Sequence, residues 1–139
     1  MKSLEQTPNI IYKILKNNSN VYSLVNNRIY PIVADQAASA QQSYIVYRRT
    51  GSNLTRSKDG NSGLANLMVE IEIYTNSYDS LIELATKVRQ ALDGQAGELY
   101  GHSIQVIAYE STRDNYQDAA ALDGIFMLQQ DYLIIANTN

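Results

Sequence analysis

Apolar residues recur along this chain with two periods, and the periods predict its elements. Near the start, Ile10, Ile11, Ile14 and Leu15 fall on one helical face. Thr7 is suited to cap this helix and Pro8 to occupy its first position, where a missing amide hydrogen costs nothing. Asn17, Asn18, Ser19 and Asn20 break the pattern. A short helical turn follows over residues 21–25, and Asn26 and Asn27 end it, since asparagine tolerates the left-handed conformation that closes a helix. Arg28, Ile29, Tyr30 and Pro31 read as a short extended piece. Proline cannot donate inside a sheet, so that piece belongs at an edge. Residues 34–42 are small and polar and read as a connecting loop.

The period then changes to two. Residues 44–50 form a β-rich run, and in residues 67–74 Leu67, Val69, Ile71 and Ile73 alternate with Met68, Glu70, Glu72 and Tyr74, which predicts a strand with one buried face. The segment between them, 51–63, has almost nothing to bury and is expected to be a flexible loop or a strand arm. Tyr78, Leu81, Ile82, Ala85, Val88 and Leu92 return to helical spacing, with Ser77 as cap, Asp79 in the first turn and Gly94 closing the helix. Two further strands are expected over 103–111 and 125–136, joined by a loop or by a continuation of the strands. The order helix–strand–strand–helix–strand–strand predicts a single α+β domain over 1–139. Its architecture is a two-layer, mostly antiparallel sheet with helices packed on one face.

Composition narrows the chemistry. The 139 residues include no cysteine, no tryptophan, one histidine and eleven tyrosines, with a formal charge of -3. Without cysteine there is no disulfide framework, thiol nucleophile or thiolate metal site. One histidine excludes a two-histidine metal site within the chain. The mild acidity argues against a dedicated nucleic-acid binder. No secretory leader or membrane-spanning run is visible, so a soluble protein acting in the cytoplasm, or in something assembled there, is expected.

Candidate sites are few. His102 has no local motif supplying a nucleophile or an orienting acid and reads as an ordinary loop histidine. Asp114, Asp118 and Asp123 lack calcium-loop spacing and read as solvated charges. Glu70 and Glu72 share a strand face, as exposed positions on a half-buried strand would. Gly60 and Gly63 are turn residues, not a phosphate loop. No catalytic, cofactor-binding or metal residue is assigned. Arg48, Arg49, Arg56 and Lys58 form the one basic concentration, and they read as a subunit or partner contact that acidic residues of a neighbour would meet, or as a solvated strand end. Nucleic-acid backbone contact is the alternative. The tyrosines suit partly buried surfaces.

Several pieces in order resemble the tail completion, or tail terminator, proteins of long non-contractile-tailed bacteriophages. These pieces are Arg28-Ile29-Tyr30-Pro31, Tyr44-Ile45-Val46-Tyr47-Arg48, Asp59-Gly60, Ser62-Gly63-Leu64 and Val69-Glu70-Ile71. Next come Ala85, Val88-Arg89 and Ala91-Leu92-Asp93-Gly94, then Arg113-Asp114-Asn115-Tyr116 and a final strand. The resemblance implies a non-enzymatic virion protein, assembled in the host cytoplasm, that caps the head-proximal end of the tail tube. It would end tube polymerisation and offer a joining surface to the head connector. It further implies a homo-oligomeric, commonly hexameric ring in contact with the tail tube protein and the connector or stopper, with DNA passing through the ring unrecognised and with no cofactor or membrane. The alternatives are a head-side stopper or other tail protein, or a small nucleic-acid or ligand-binding module. The polar triplet Gln129-Gln130-Asp131 departs from the pattern and raises the question of whether the final strand is buried.

Overall fold

The alternating run through Leu67, Val69, Ile71 and Ile73 lies at the centre of the molecule, and each of these four side chains is buried. Residues 6–32, 43–57, 60–117 and 125–137 are described by the structure, which is a computed structural model. Among these residues three helices accompany the sheet: α1 Asn9–Asn17, α2 Ser19–Val25 and α3 Tyr78–Leu92. The strands are β1 Ile29–Pro31, β2 Tyr44–Ser57, β3 Gly60–Thr75, β4 Gly97–Leu99, β5 His102–Gln117 and β6 Ile125–Asn137. They form one sheet in the order β1-β2-β3-β6-β5-β4. Every pairing is antiparallel except β1 with β2. The α+β layer expected from the sequence is thus the observed fold.

Two long hairpins build the sheet. β2 pairs with β3 from Tyr44↔Tyr74 to Ser57↔Gly60, and β5 pairs with β6 from Ile104↔Ala136 to Gln117↔Ile125. Their inner strands meet along Leu64↔Asn137 to Thr75↔Phe126. The closed ends of the two hairpins therefore point in opposite directions. Segment 51–57 continues β2 and segment 60–63 opens β3, so the strand-arm reading describes the backbone there; residues 58 and 59 lie outside the described residues.

The helices cover one face. Ile10, Ile11, Leu15, Val21 and Val25 join Leu81, Leu84, Val88 and Leu92 against Ile45, Ile71, Ile107 and Ile134 in one cluster. Full burial of each large aliphatic side chain contributes about 1.5–3 kcal/mol, so this face dominates stability. Two sequence expectations about the helices are corrected. α1 has Pro8 at its cap position with no side-chain cap bond, because the proline ring carries no acceptor, and the Thr7 hydroxyl expected to cap lies 3.3 Å from His102 Nδ1. In α3, Leu84 and Ala91 are buried, whereas Tyr78 and Ile82 are exposed. The helix is rotated from the face first read, and both sets of residues satisfy helical spacing.

The strands depart from strict alternation at bulges. In β5, Gln105 is an extra residue between the pairs Ile104↔Ala136 and Val106↔Ile135. An inserted residue shifts every later side chain to the other face. Ile104 and Ile107 are therefore both buried, and the expected shared face of Ile104, Val106 and Ala108 is not observed. The polar triplet resolves in the same terms. Gln130 faces the helices, donates to the Ala85 carbonyl at 3.0 Å and accepts from the Tyr132 hydroxyl at 2.8 Å. Gln129 and Asp131 face the other way. The final strand is a core strand, with Leu128, Gln130, Tyr132 and Ile134 buried.

Candidate assembly surface

Among the described residues no helix covers the second face of the sheet, and the register lines up its side chains in rows. One row runs Tyr44, Tyr74 and Met127, the next Val46, Glu72, Gln129 and Arg113. After them come Arg48, Glu70, Asp131 and Ser111, then Met68, Leu133 and Ala108. The face is thus aromatic at one end, charged in the middle and apolar at the other. Met68 is exposed and Leu133 half-buried.

Arg48 organises the charged rows. Its guanidinium donates to Glu72 Oε1 at 2.7 Å and to the Ile32 carbonyl at 3.2 Å, and lies 4.0 Å from Glu70. Tyr74 donates its hydroxyl to Glu72 at 3.0 Å. Glu72 is only 9% exposed, so the reading of Glu70 and Glu72 as two exposed strand positions fails for it. Burial raises the Glu70 carboxyl above its ordinary value, and its neighbour Glu72 adds to the rise while Arg48 opposes it. Across the sheet, Asp131 accepts from Ser111 at 2.9 Å and from Gln129 at 3.2 Å, and lies 3.6 Å from Arg113. Between the two groups the face forms a depression of about 380 Å³ whose lining includes Glu70, Glu110, Arg113 and Asp131.

The tyrosines gather beside this network. Tyr44 stacks on Tyr74 with ring centroids 4.7 Å apart, and Tyr30 meets Tyr44 edge-on at 6.2 Å. Burial first, and then the Glu72 charge, push both the Tyr44 and the Tyr74 phenol upward. Both stay protonated near neutrality, which leaves the Tyr74 hydroxyl a donor.

The four basic positions singled out in the sequence separate in space. Arg48 is held within the chain by the bonds above. Arg49 pairs with Val69 in the register, is exposed, and makes no ion pair among the described residues. It lines a 230 Å³ hollow with Pro8, Asn9, Pro31, Ile32 and Tyr47, beside an Ile32 side chain that is 65% exposed. Arg56 sits on the hairpin arm, where its main chain pairs with Asn61, roughly 23 Å along the strand from Arg49 at about 3.3 Å per residue. Its side chain and all of Lys58 lie outside the described residues, as do Asp118 and Asp123.

His102 opens β5 and is 4% exposed, packed against Thr7, which is also buried. The expected loop placement is corrected: this histidine fastens the chain start to β5, and the hydroxyl beside it faces no solvent. Among the described residues no cluster of histidine and carboxylate side chains has metal-site geometry, and no helix is long and apolar enough to cross a membrane. The Arg48–Glu72 contact was beyond sequence reading, because it joins positions whose pairing depends on the β2–β3 register.

The sequence profile of the family described as Tail completion protein gp17 matches residues 10–129. A chain in a solved structure described as the virion of a native gene transfer agent particle superposes with a TM-score of 0.66 at 15% identity, covering 91% of each chain. A second solved chain superposes with a TM-score of 0.57 at 7% identity, covering 93% of this chain and 94% of that one. At these identities the two likenesses establish the fold. No curated protein matches by sequence.

Proposed function

The chain belongs to the tail completion protein gp17 family, which makes it a structural component of the phage virion tail, and from that premise we propose that it caps the head-proximal end of the tail tube. There it stops tube polymerisation and presents the joining surface for the head connector. It acts as a homo-oligomeric ring, with a hexamer as the working stoichiometry, and DNA passes through without sequence recognition. The observation that carries this reading is the family match over residues 10–129. The surface described above supports it. The helix-free face carries fixed charges and an aromatic stack, which suits contact with neighbouring proteins better than small-molecule chemistry. Arg49 and Arg56 are the basic residues we assign to the contact between subunits.

Incubation of the purified protein with tail tubes that lack it, followed by electron microscopy, tests the assignment. Rings seated at one tube end, with tube growth halted, are expected. Rings that bind isolated head connectors and ignore tubes would move the protein to the head-side stopper role. Binding to neither would remove the joining role altogether.

A further inference from the structure

The sheet's two outer edges are only partly covered. β1 covers β2 at Ile45, Val46 and Tyr47, and the Ile32 amide closes that cover by donating to the Tyr47 carbonyl at 2.8 Å. On the other side, β4 covers the start of β5, the Gly94 and Gln95 backbone bonds Ile107, and Asp93 accepts from the Tyr109 amide at 3.0 Å. Beyond these points, among the described residues, the outer edges of β2 over 49–57 and of β5 over 111–117 have no main-chain partner. Long uncovered edges are templates for pairing with another strand.

We propose that copies of this chain join edge to edge, residues 49–57 of β2 in one copy pairing with residues 111–117 of β5 in the next, so that one sheet runs on into another. This rests on the ring reading above and names how its subunits meet. Three features favour it. First, β2 and β5 run in opposite directions within the sheet, so two copies set side by side in the same orientation bring them together antiparallel. That arrangement is heterologous, as a closed ring requires. Second, the free lengths match within two residues, and the covers act as stops at both ends. Third, the sequence of 49–57 holds two arginines and no acid, whereas β5 from Glu110 onward holds Glu110 and Asp114, with Arg113 already beside Asp131. A two-fold pairing of β2 with β2 would set arginine against arginine.

Such edge pairing also fixes the geometry between copies. Arg49 and Tyr109 share one row through Val69 and Tyr132, and the two free edges lie on opposite sides of that row. Pairing them slides one copy along its strands by roughly 25 Å, at about 3.3 Å per residue. A closed ring with such a stagger must tilt its strands against the ring axis, as barrels do.

The amides that would donate follow from the register. Ile45 bonds outward to Arg28 at 3.0 Å, and counting past the extra residue Thr50 turns the Ser52 amide outward. The Tyr109 amide faces outward, and counting past Glu110 does the same for Thr112. Proline at an outward-facing edge position removes a donor without breaking the sheet. Ser52→Pro and Thr112→Pro should therefore keep wild-type circular dichroism yet fail to form rings, free or on tubes, while Ser52→Ala forms them. Amide exchange over 50–54 and 110–114 in assembled wild type should slow more than about tenfold against the unassembled chain. This second reading serves even where a proline variant fails to fold. Rings in both proline variants, or unprotected amides in wild-type rings, would overturn the edge pairing and leave the ring intact. Absence of any wild-type ring, alone or on tubes, would overturn the ring reading and this inference with it.

Discussion

Gln130 and Tyr132 carry the polar contact on which α3 is seated. The amide of Gln130 reaches the Ala85 carbonyl inside the helix layer, and the Tyr132 hydroxyl completes the amide's other end. Gln130→Met keeps the volume and strands both partners, so a loss of about 1–3 kcal/mol is expected in chemical denaturation. Tyr132→Phe leaves one acceptor short and should cost about 1 kcal/mol. Equal stability of wild type and both variants would show that this contact only fills space. Glu70 gives a pH effect of the opposite kind. Its carboxyl is raised in the folded state, so its contribution to stability is complete below the unfolded value and is lost as pH climbs through the folded one. Glu70→Gln should consequently gain melting temperature relative to wild type as pH rises from 4 to 7. A gain independent of pH would assign the effect to packing.

At the scale of elements, local chemistry was readable and its three-dimensional corrections were not. The cap at Ser77 is observed, its hydroxyl accepting from the Ser80 amide at 3.2 Å. Ser77→Ala should destabilise by about 1 kcal/mol, measurable as a lower denaturation midpoint at unchanged slope. The alternation of β3 was legible because both its neighbours are strands and one face is buried throughout. β5 was not, since the bulges at Gln105 and Glu110 leave no compositional mark and each reverses the faces that follow. Helix α3 was legible as a helix but not in its rotation. Tyr78 and Ile82 are as apolar as Leu84 and Ala91, and only the packing against β3 and β6 selects between them. Gln130 misled for a related reason: a polar residue in a strand reads as exposed unless a partner across the layers is known.

At the scale of the molecule, the basic cluster divides into two jobs. Arg48 belongs to the fold through Glu70 and Glu72, and Arg49 is exposed and makes no ion pair among the described residues. Arg48→Ala should lower stability by about 1 kcal/mol, given its partial exposure. Arg49→Glu combined with Arg56→Glu should leave the melting temperature within a few degrees of wild type while reducing ring formation and tube capping. Intact capping by that double variant would take both residues out of the subunit contact. The contact itself could not be read from the sequence, because Arg49 and Arg56 become edge positions only once β1 is seen to stop at Pro31.

The opposed hairpin ends have a mechanical consequence. Tension applied between the two hairpin ends would run along β3 and β6, whose ladder extends from Leu64↔Asn137 to Thr75↔Phe126. Antiparallel hydrogen bonds lie across the strands, so such a pull loads them all in shear and none can open ahead of the rest. A subunit gripped at both ends by its neighbours would resist stretching with this whole seam at once, while a pull across the strands would peel the same seam bond by bond. Single-molecule extension along the two directions should give one high rupture force and one low, and equal forces would show that the seam does not bear the load.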